Sequence, residues 1–106
     1  MADRFWVGGS GNWSDDDNHW ATSTGGTAAD GNKPTSSDIA IFDASSGTGT
    51  CTIDENVSVL GINQGVSTIT ITNTTYTITV GTSGGVFSAG TFNGGSGAIT
   101  INGYLL

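Results

Sequence analysis

The chain has 106 residues, a formal net charge of -7 and only 10% charged residues, and this length allows one domain with a small core. Arg4 and Lys33 are the only cations, so the phosphate neutralisation that drives nucleic-acid binding is missing and a DNA- or RNA-binding role is excluded. The sequence contains no run of about 20 apolar residues that would predict a membrane span, and it shows no recognisable secretory signal. We therefore expect synthesis in the cytoplasm without a signal peptide and without membrane contact.

By composition the chain divides into two zones. Residues 1–43 contain all three tryptophans, most of the acidic residues and the only proline, whereas residues 44–106 are rich in Thr, Gly, Ile and Val. The small residues of "ASSGTGT" (44–50) predict a loop at the join. We interpret 1–43 as a cap segment and 44–106 as β-solenoid coils, together forming one domain.

The first zone contains the stretch "RFWVGGSGNWSDDDNHW" (4–20), in which Trp6, Trp13 and Trp20 recur every seven residues. The glycines and aspartates between them oppose a long helix. Two interpretations are open. The rings form a buried cluster that closes the first coil, which we favour because large aromatic side chains are mostly buried, or they stack on sugar rings as a carbohydrate-binding surface.

The acidic run "DDD" (15–17) raises the question of a metal site, since clustered carboxylates suit Ca²⁺. Asp15 and Asp17 are the candidate ligands, but the run lacks the glycine and the distant Glu of a helix-loop-helix calcium loop. We expect a solvated turn and no metal. His19 has no Cys or second His near it in the sequence, so we expect it to pack beside Trp20 rather than to bind zinc or catalyse.

The second zone repeats a phrase of alternating residues: "TCTID" (50–54), "TITIT" (68–72), "TITVG" (77–81) and "AITING" (98–103). Such alternation predicts strands with one buried face. Offsets of 18 residues from Ile53 to Ile71 and of 21 from Ile78 to Ile99 are close to the length of one solenoid coil. The side chains expected to point inward are Ile53, Ile69, Ile71, Ile78, Val80, Ile99 and Ile101.

A competing interpretation makes "TITITNTTYTITV" an antiparallel hairpin that turns at Asn73 and Thr74, as part of a sandwich or barrel. The repeated phrase favours stacked coils. The predicted fold is therefore all-β: a short β-solenoid of two to three coils, or a β-sandwich-like stack, with an N-terminal Trp-rich cap and almost no helix.

No set of residues predicts catalysis or cofactor binding. Asp54 and Glu55 are neighbours at a strand end, so they point to opposite faces and would not flank one glycosidic bond. Cys51 lies in an alternating strand and is expected to be buried and inert. The glycine-rich "GGSG" and "NGGSG" have no Lys-Ser/Thr ending and no helix to follow, so they are turns and not phosphate loops. We expect no enzyme activity and no cofactor.

The order "WVGGSGNWSD", then "NHW", then "PTSSDIAIFD", then "TCTIDENVSV" resembles the opening module of bacterial and phage β-solenoid surface proteins, which include autotransporter-like passenger repeats and phage virion proteins. The resemblance covers residues 4 to about 60, and "GTFNGGSGAITING" (90–103) is similar to their later coils. It implies a phage structural protein, because this chain is short and shows no export signal.

The C-terminal "INGYLL" is expected to leave Tyr104, Leu105 and Leu106 on an open apolar strand edge that another subunit covers. We therefore expect a homo-oligomer, with a trimer implied by the resemblance to phage β proteins. The expected function is a virion capsid decoration or cement protein with a capsid or tail protein as partner. The alternatives are a carbohydrate-binding or tail-fibre/adhesin module that recognises surface polysaccharide, and a subunit of a self-assembling extracellular filament.

Overall fold

A computed structural model describes residues 1–106. Ten strands account for nearly all of its regular structure, together with one helix, α1 (Asp16–His19), and one 3₁₀ turn (Ala44–Ser46). None of the helical segments is long and apolar enough to cross a membrane. The strands are β1 (Ala2–Trp6), β2 (Gly11–Asn12), β3 (Trp20–Ala21), β4 (Asp38–Ile41), β5 (Thr48–Thr52), β6 (Val57–Asn63), β7 (Thr68–Thr72), β8 (Ile78–Val86), β9 (Thr91–Asn93) and β10 (Ile99–Ile101).

The strands stack as a short β-solenoid of about three turns. The first sheet has the order β10-β8-β6-β4-β1-β3 and the second sheet has the order β2-β5-β7-β9. From β4 onward the chain alternates between the two sheets, so each circuit adds one parallel strand to each of them. Only β3 runs antiparallel to its neighbour, β1. The predicted solenoid and the near absence of helix are confirmed.

Strand register gives the length of each coil. Ile78 lies opposite Ile99, as the 21-residue offset predicts. The 18-residue offset is wrong, because Cys51 and not Ile53 lies opposite Ile71. The Ile53 N–H donates instead to the carbonyl of Thr72, past the end of the paired strands. Alternating Thr-x phrases look alike when shifted by two residues, so the sequence pattern does not distinguish these two alignments.

The hairpin at Asn73 is excluded, because β7 belongs to the second sheet and β8 to the first. Asn73 forms a corner of the solenoid instead. Its buried side chain donates to the carbonyls of Tyr76 and Gly94 and accepts a hydrogen bond from the Tyr76 N–H. The side chain thereby replaces backbone partners that the turning chain loses, and its bond to Gly94 joins two successive coils.

The core lies between the two sheets and extends into the tryptophan cluster of the cap. Five of the seven predicted inward residues are fully buried there: Ile53, Ile69, Ile71, Ile78 and Val80. Ile99 is the register partner of the buried Ile78 and so points to the same face, but it is 38% exposed, and Ile101 is partly buried. Both lie on β10, the outermost strand of the first sheet, and the second sheet ends at β9. Inward-pointing residues of β10 therefore have no complete coil to cover them.

Candidate functional site

The tryptophans form one aromatic cluster at the cap end of the solenoid. The side chains of Trp6, Trp13 and Trp20 pack around Phe42. Five pairs among these four rings are in contact, and their ring centroids are 4.9 to 6.1 Å apart. Trp20 contacts all three other rings edge-on. Edge-to-face packing places the positive ring edge against a negative ring face, which adds to the burial of apolar area.

Each of two indole N–H groups in the cluster has a backbone partner. The Trp6 indole donates to the Gly9 carbonyl and the Trp20 indole donates to the Trp13 carbonyl, both at 2.8 Å. Trp6, Trp13 and Trp20 are 0%, 2% and 0% exposed. The rings consequently present no face on which a sugar could stack, and burial favours the cap interpretation over the carbohydrate platform.

His19 completes the cluster from the last position of α1. Its ring lies parallel to Trp6 with centroids 4.4 Å apart, and its Nδ1 is 2.7 Å from the Val7 carbonyl oxygen. A carbonyl only accepts, so Nδ1 carries the hydrogen of this bond. His19 was expected beside Trp20, its sequence neighbour, but its stacking partner is Trp6.

Glycines make room for this histidine. Gly8 has a φ of +84°, a conformation that favours glycine, and a Cβ there would lie 2.9 Å from the Asn18 carbonyl oxygen. A Cβ on Gly11 would overlap the Nε2 atom of His19. Gly8 and Gly11 thus pack closely against the imidazole, which explains two of the glycines that lie between Trp6 and Trp13.

The acidic run forms one turn of helix rather than an irregular turn. Asp16 and Asp17 lie in the first turn of α1, where the helix dipole favours negative charge. Both Asp15 carboxylate oxygens accept from the Asn18 amide, and Asp16 accepts from the Gly31 N–H. No group of three His, Cys, Asp or Glu side chains that could hold a metal ion is present in the structure.

The other carboxylates fasten loops. Asp54 accepts from both the N–H and the hydroxyl of Ser14, which ties the cap to the end of β5. Glu55 forms an ion pair with Lys33 at 2.7 Å, and this bond raises the pKa of Lys33. The pair is about one-third exposed on each side, so solvent weakens its contribution to stability.

Asp38 and Cys51 are buried residues whose side-chain pKa values differ from their usual ones. Burial alone would raise the pKa of Asp38, but hydrogen bonds from the N–H and hydroxyl of Thr35 and from the Ala2 N–H, with the charge of Arg4, lower it below its usual range. Burial in the core raises the pKa of the Cys51 thiol, and the nearby charge of Asp54 adds to this. A thiol held protonated is a poor nucleophile.

An apolar cavity opens at the end of the solenoid opposite the cap. It has a volume of about 470 Å³ and is lined by Phe87, Phe92, Ile101, Leu105 and Leu106. The phenyl rings are 4.6 Å apart, and the two leucines are 61% and 70% exposed. Leu105 and Leu106 are the residues that the sequence predicts here, whereas Phe87 and Phe92 were not predicted. The 21-residue offset, counted from Ile71, leads to Phe92, and these two residues are register partners in the structure.

Residues 104–106 continue the first sheet beside the second half of β8. The Gly85 N–H donates to the Tyr104 carbonyl, and Leu106 exchanges backbone hydrogen bonds with Gly85 and Phe87. Leu105 pairs in parallel with Gly85. These residues therefore form part of the edge of the sheet, and their side chains stay exposed, Tyr104 to 63%.

A groove of about 330 Å³ crosses the first sheet. It lies where Gly61 of β6 and Gly84 of β8 are register partners, next to a β-bulge in this strand pair. Neither glycine has a side chain to fill the surface between Ile39, Val86 and Tyr104. The groove is a depression whose lining is half apolar and includes the polar side chains of Asn63 and Ser83.

Comparison with protein-family models, curated proteins and solved structures gives no significant match to this chain. The resemblance of residues 4 to about 60 to phage and bacterial solenoid modules stays a prediction.

Proposed function

We propose that the chain is a non-enzymatic structural protein of a phage virion, where it acts as an oligomeric capsid decoration or cement protein. The observation that carries the proposal is the apolar end formed by Phe87, Phe92, Ile101, Leu105 and Leu106. Contiguous exposed apolar surface of this kind is typical of a protein-protein contact. The resemblance in the first half of the chain adds the virion as the setting.

The side chains that catalysis would need are engaged in structural contacts, which supports a non-enzymatic role. His19 is stacked on Trp6 and bonded to Val7. Cys51 is buried, and Asp54 holds Ser14. Using any of them as a nucleophile or base would first require breaking the packing of the cap or the core.

The open end is suited to contact between copies because it carries no charged side chain. Every Asp, Glu, Lys, Arg and His of the chain lies within residues 3–55, and residues 56–106 contain none. Association through this end buries apolar area without removing a charged side chain from water, which is the costly part of burying polar surface. The partner of this end is another copy of the chain, in a trimer.

Light scattering of the purified chain tests this contact. We expect an oligomer at micromolar concentration, and we expect the double variant Leu105→Asp, Leu106→Asp to be a monomer with an unchanged far-UV circular dichroism spectrum. As a control, Thr22→Asp places a charge on an exposed loop near the cap and should leave the oligomer intact. A wild-type chain that stays monomeric contradicts the oligomer.

The contact with the capsid is assigned to the outer face of the first sheet. Its strands β6, β8 and β10, which carry no charged residue, lie against the capsid surface, and the groove over Gly61 and Gly84 receives an apolar side chain of a capsid subunit. Adjacent subunits are fastened together when several copies in one oligomer bind them at once.

Co-sedimentation with empty shells tests the capsid contact. The shells are assembled from the major capsid protein of the phage genome that carries this gene, and we expect saturable binding. Asn63→Arg fills the groove with a charged side chain and should abolish binding, whereas Thr72→Arg on the second sheet should not. If wild-type protein does not sediment with the shells but binds polysaccharides on a glycan array, the alternative of a carbohydrate-binding module replaces the proposal.

A further inference from the structure

The outer face of the second sheet is covered by threonines. Along β5 and β7 every second residue is Thr and points outward, while Cys51, Ile69 and Ile71 between them are buried. We define this surface as the threonine face, and its members are Thr48, Thr50, Thr52, Thr68, Thr70, Thr72 and Thr91.

The threonines lie in a regular two-dimensional array. Thr48 is the register partner of Thr68, Thr50 of Thr70 and Thr52 of Thr72, and Thr70 in turn pairs with Thr91. Neighbouring strands lie about 4.8 Å apart and alternate residues along a strand about 6.6 Å apart. The first sheet contains a bulge, whereas the β5-β7-β9 ladder runs without a register shift, so its array is not interrupted.

The face is neutral, and its hydroxyls are available to an external partner. No charged residue lies on β2, β5, β7 or β9, although the chain as a whole carries a net charge of -7. Of the seven hydroxyls only that of Thr68 donates to the protein, to the Gly47 carbonyl at 3.1 Å. Each of the others offers one donor, two acceptor lone pairs and an adjacent methyl group.

We propose that the threonine face binds the surface of ice. A partner for this face should be uncharged, and it should repeat its own hydrogen-bonding groups in two dimensions. A regular array of hydroxyls strengthens binding only when the partner presents a matching array. Ice meets both conditions, because its surface is uncharged and repeats hydrogen-bond donors and acceptors in two dimensions. A polysaccharide would call for exposed aromatic rings, and the three tryptophans are buried.

Binding arises in this proposal from water ordered on the face before it meets the crystal. Hydroxyls anchor water molecules at lattice spacing, and the methyl groups between them limit competing orientations. Three strands make a small face, so the expected effect is shaping of ice crystals with modest thermal hysteresis. This inference is independent of the virion proposal, because it concerns the second sheet alone and requires no capsid or second copy.

The experiment compares two tyrosine variants. Thr70→Tyr places a large ring at the centre of the threonine face. Thr79→Tyr makes the same change on the outer face of the first sheet, at an equally half-buried strand position between Ser58 and Thr100. Circular dichroism and thermal unfolding establish that both variants fold. If Thr70→Tyr does not fold, Thr91→Tyr on the exposed edge strand takes its place.

The readouts are the fraction of protein incorporated into a slowly growing ice hemisphere and the shape of single crystals in a nanolitre osmometer. We expect the wild type and Thr79→Tyr to enter the ice and to shape crystals, and Thr70→Tyr to lose about tenfold in incorporation, since the ring separates neighbouring hydroxyls from the lattice. Exclusion of the wild type from ice overturns the proposal. Equal incorporation of the two tyrosine variants also overturns it.

Discussion

Replacing Trp20 with alanine tests whether the aromatic cluster belongs to the cooperative core of the solenoid. Trp20 is 0% exposed and contacts Trp6, Trp13 and Phe42 edge-on at centroid distances of 4.9 to 5.8 Å. Its indole N–H donates to the Trp13 carbonyl. Trp20→Ala therefore removes three ring contacts and one hydrogen bond, and it leaves a cavity where the indole was.

The expected loss can be built from these contacts. Removing a buried tryptophan costs about 3–5 kcal/mol in lost transfer energy and cavity formation. A carbonyl left without its donor adds about 1 kcal/mol. The sum of about 4–6 kcal/mol compares with a total stability of about 5–15 kcal/mol for a domain. We therefore expect Trp20→Ala to lower the melting temperature by at least about 15 °C.

Guanidinium unfolding followed by far-UV circular dichroism is the assay, at one fixed protein concentration because association also adds stability. Thr22→Ala, two residues away on an exposed loop, is the control and should change stability by less than about 0.5 kcal/mol. A loss under about 1 kcal/mol for Trp20→Ala, with an unchanged denaturant dependence, would refute the reasoning, because the cluster would then be separable from the core.

Three further experiments test individual contacts: two substitutions and one labelling reaction. Gly11→Ala should cost about 1–3 kcal/mol by thermal unfolding, because its Cβ overlaps His19, and this cost should fall in a His19→Ala background; equal costs in both backgrounds would contradict the contact. Hydrogen bonds hold the pKa of Asp38 below its usual range, so the carboxylate stabilises the fold at neutral pH and this is lost as the pH falls below about 4. Asp38→Asn should reduce that acid dependence, and an unchanged pH profile would speak against it. Cys51 should resist iodoacetamide at about pH 8 until the chain unfolds, whereas rapid labelling of the folded protein would show the thiol to be accessible.

The alternation of β-branched residues with threonine was enough to predict the solenoid and the burial of Ile69, Ile71 and Ile78. It was not enough to align the coils, since the pattern repeats every two residues and a shift from Cys51 to Ile53 preserves it. It also overestimated the burial of Ile99, because alternation shows which face a residue points to and not whether another coil covers that face.

The corners were beyond prediction because side-chain hydrogen bonds determine them. Asn73 and Gln64 look like ordinary turn residues in the sequence, yet both are buried and bridge coils. The Gln64 amide donates to the carbonyls of Ile69 and Thr91, as Asn73 does to Tyr76 and Gly94. The alternation of apolar and polar residues along the sequence carries no information about such side-chain hydrogen bonds. The stacking of His19 on Trp6 was missed for the same reason, since the fold and not sequence adjacency brings the two rings together.

The two ends of the solenoid differ in a way that bears on how copies associate. A filament would need the open end of one copy to pair with the cap of the next. The outermost strand at the cap, β3, is two residues long and antiparallel to β1, so it offers few free backbone groups in the orientation of the stack. The three tryptophans at this end are buried and pack against one another. Exposed apolar side chains are thus concentrated at the end opposite the cap. A head-to-tail filament needs a matching surface at the cap, so this asymmetry favours the proposed closed oligomer over the filament alternative.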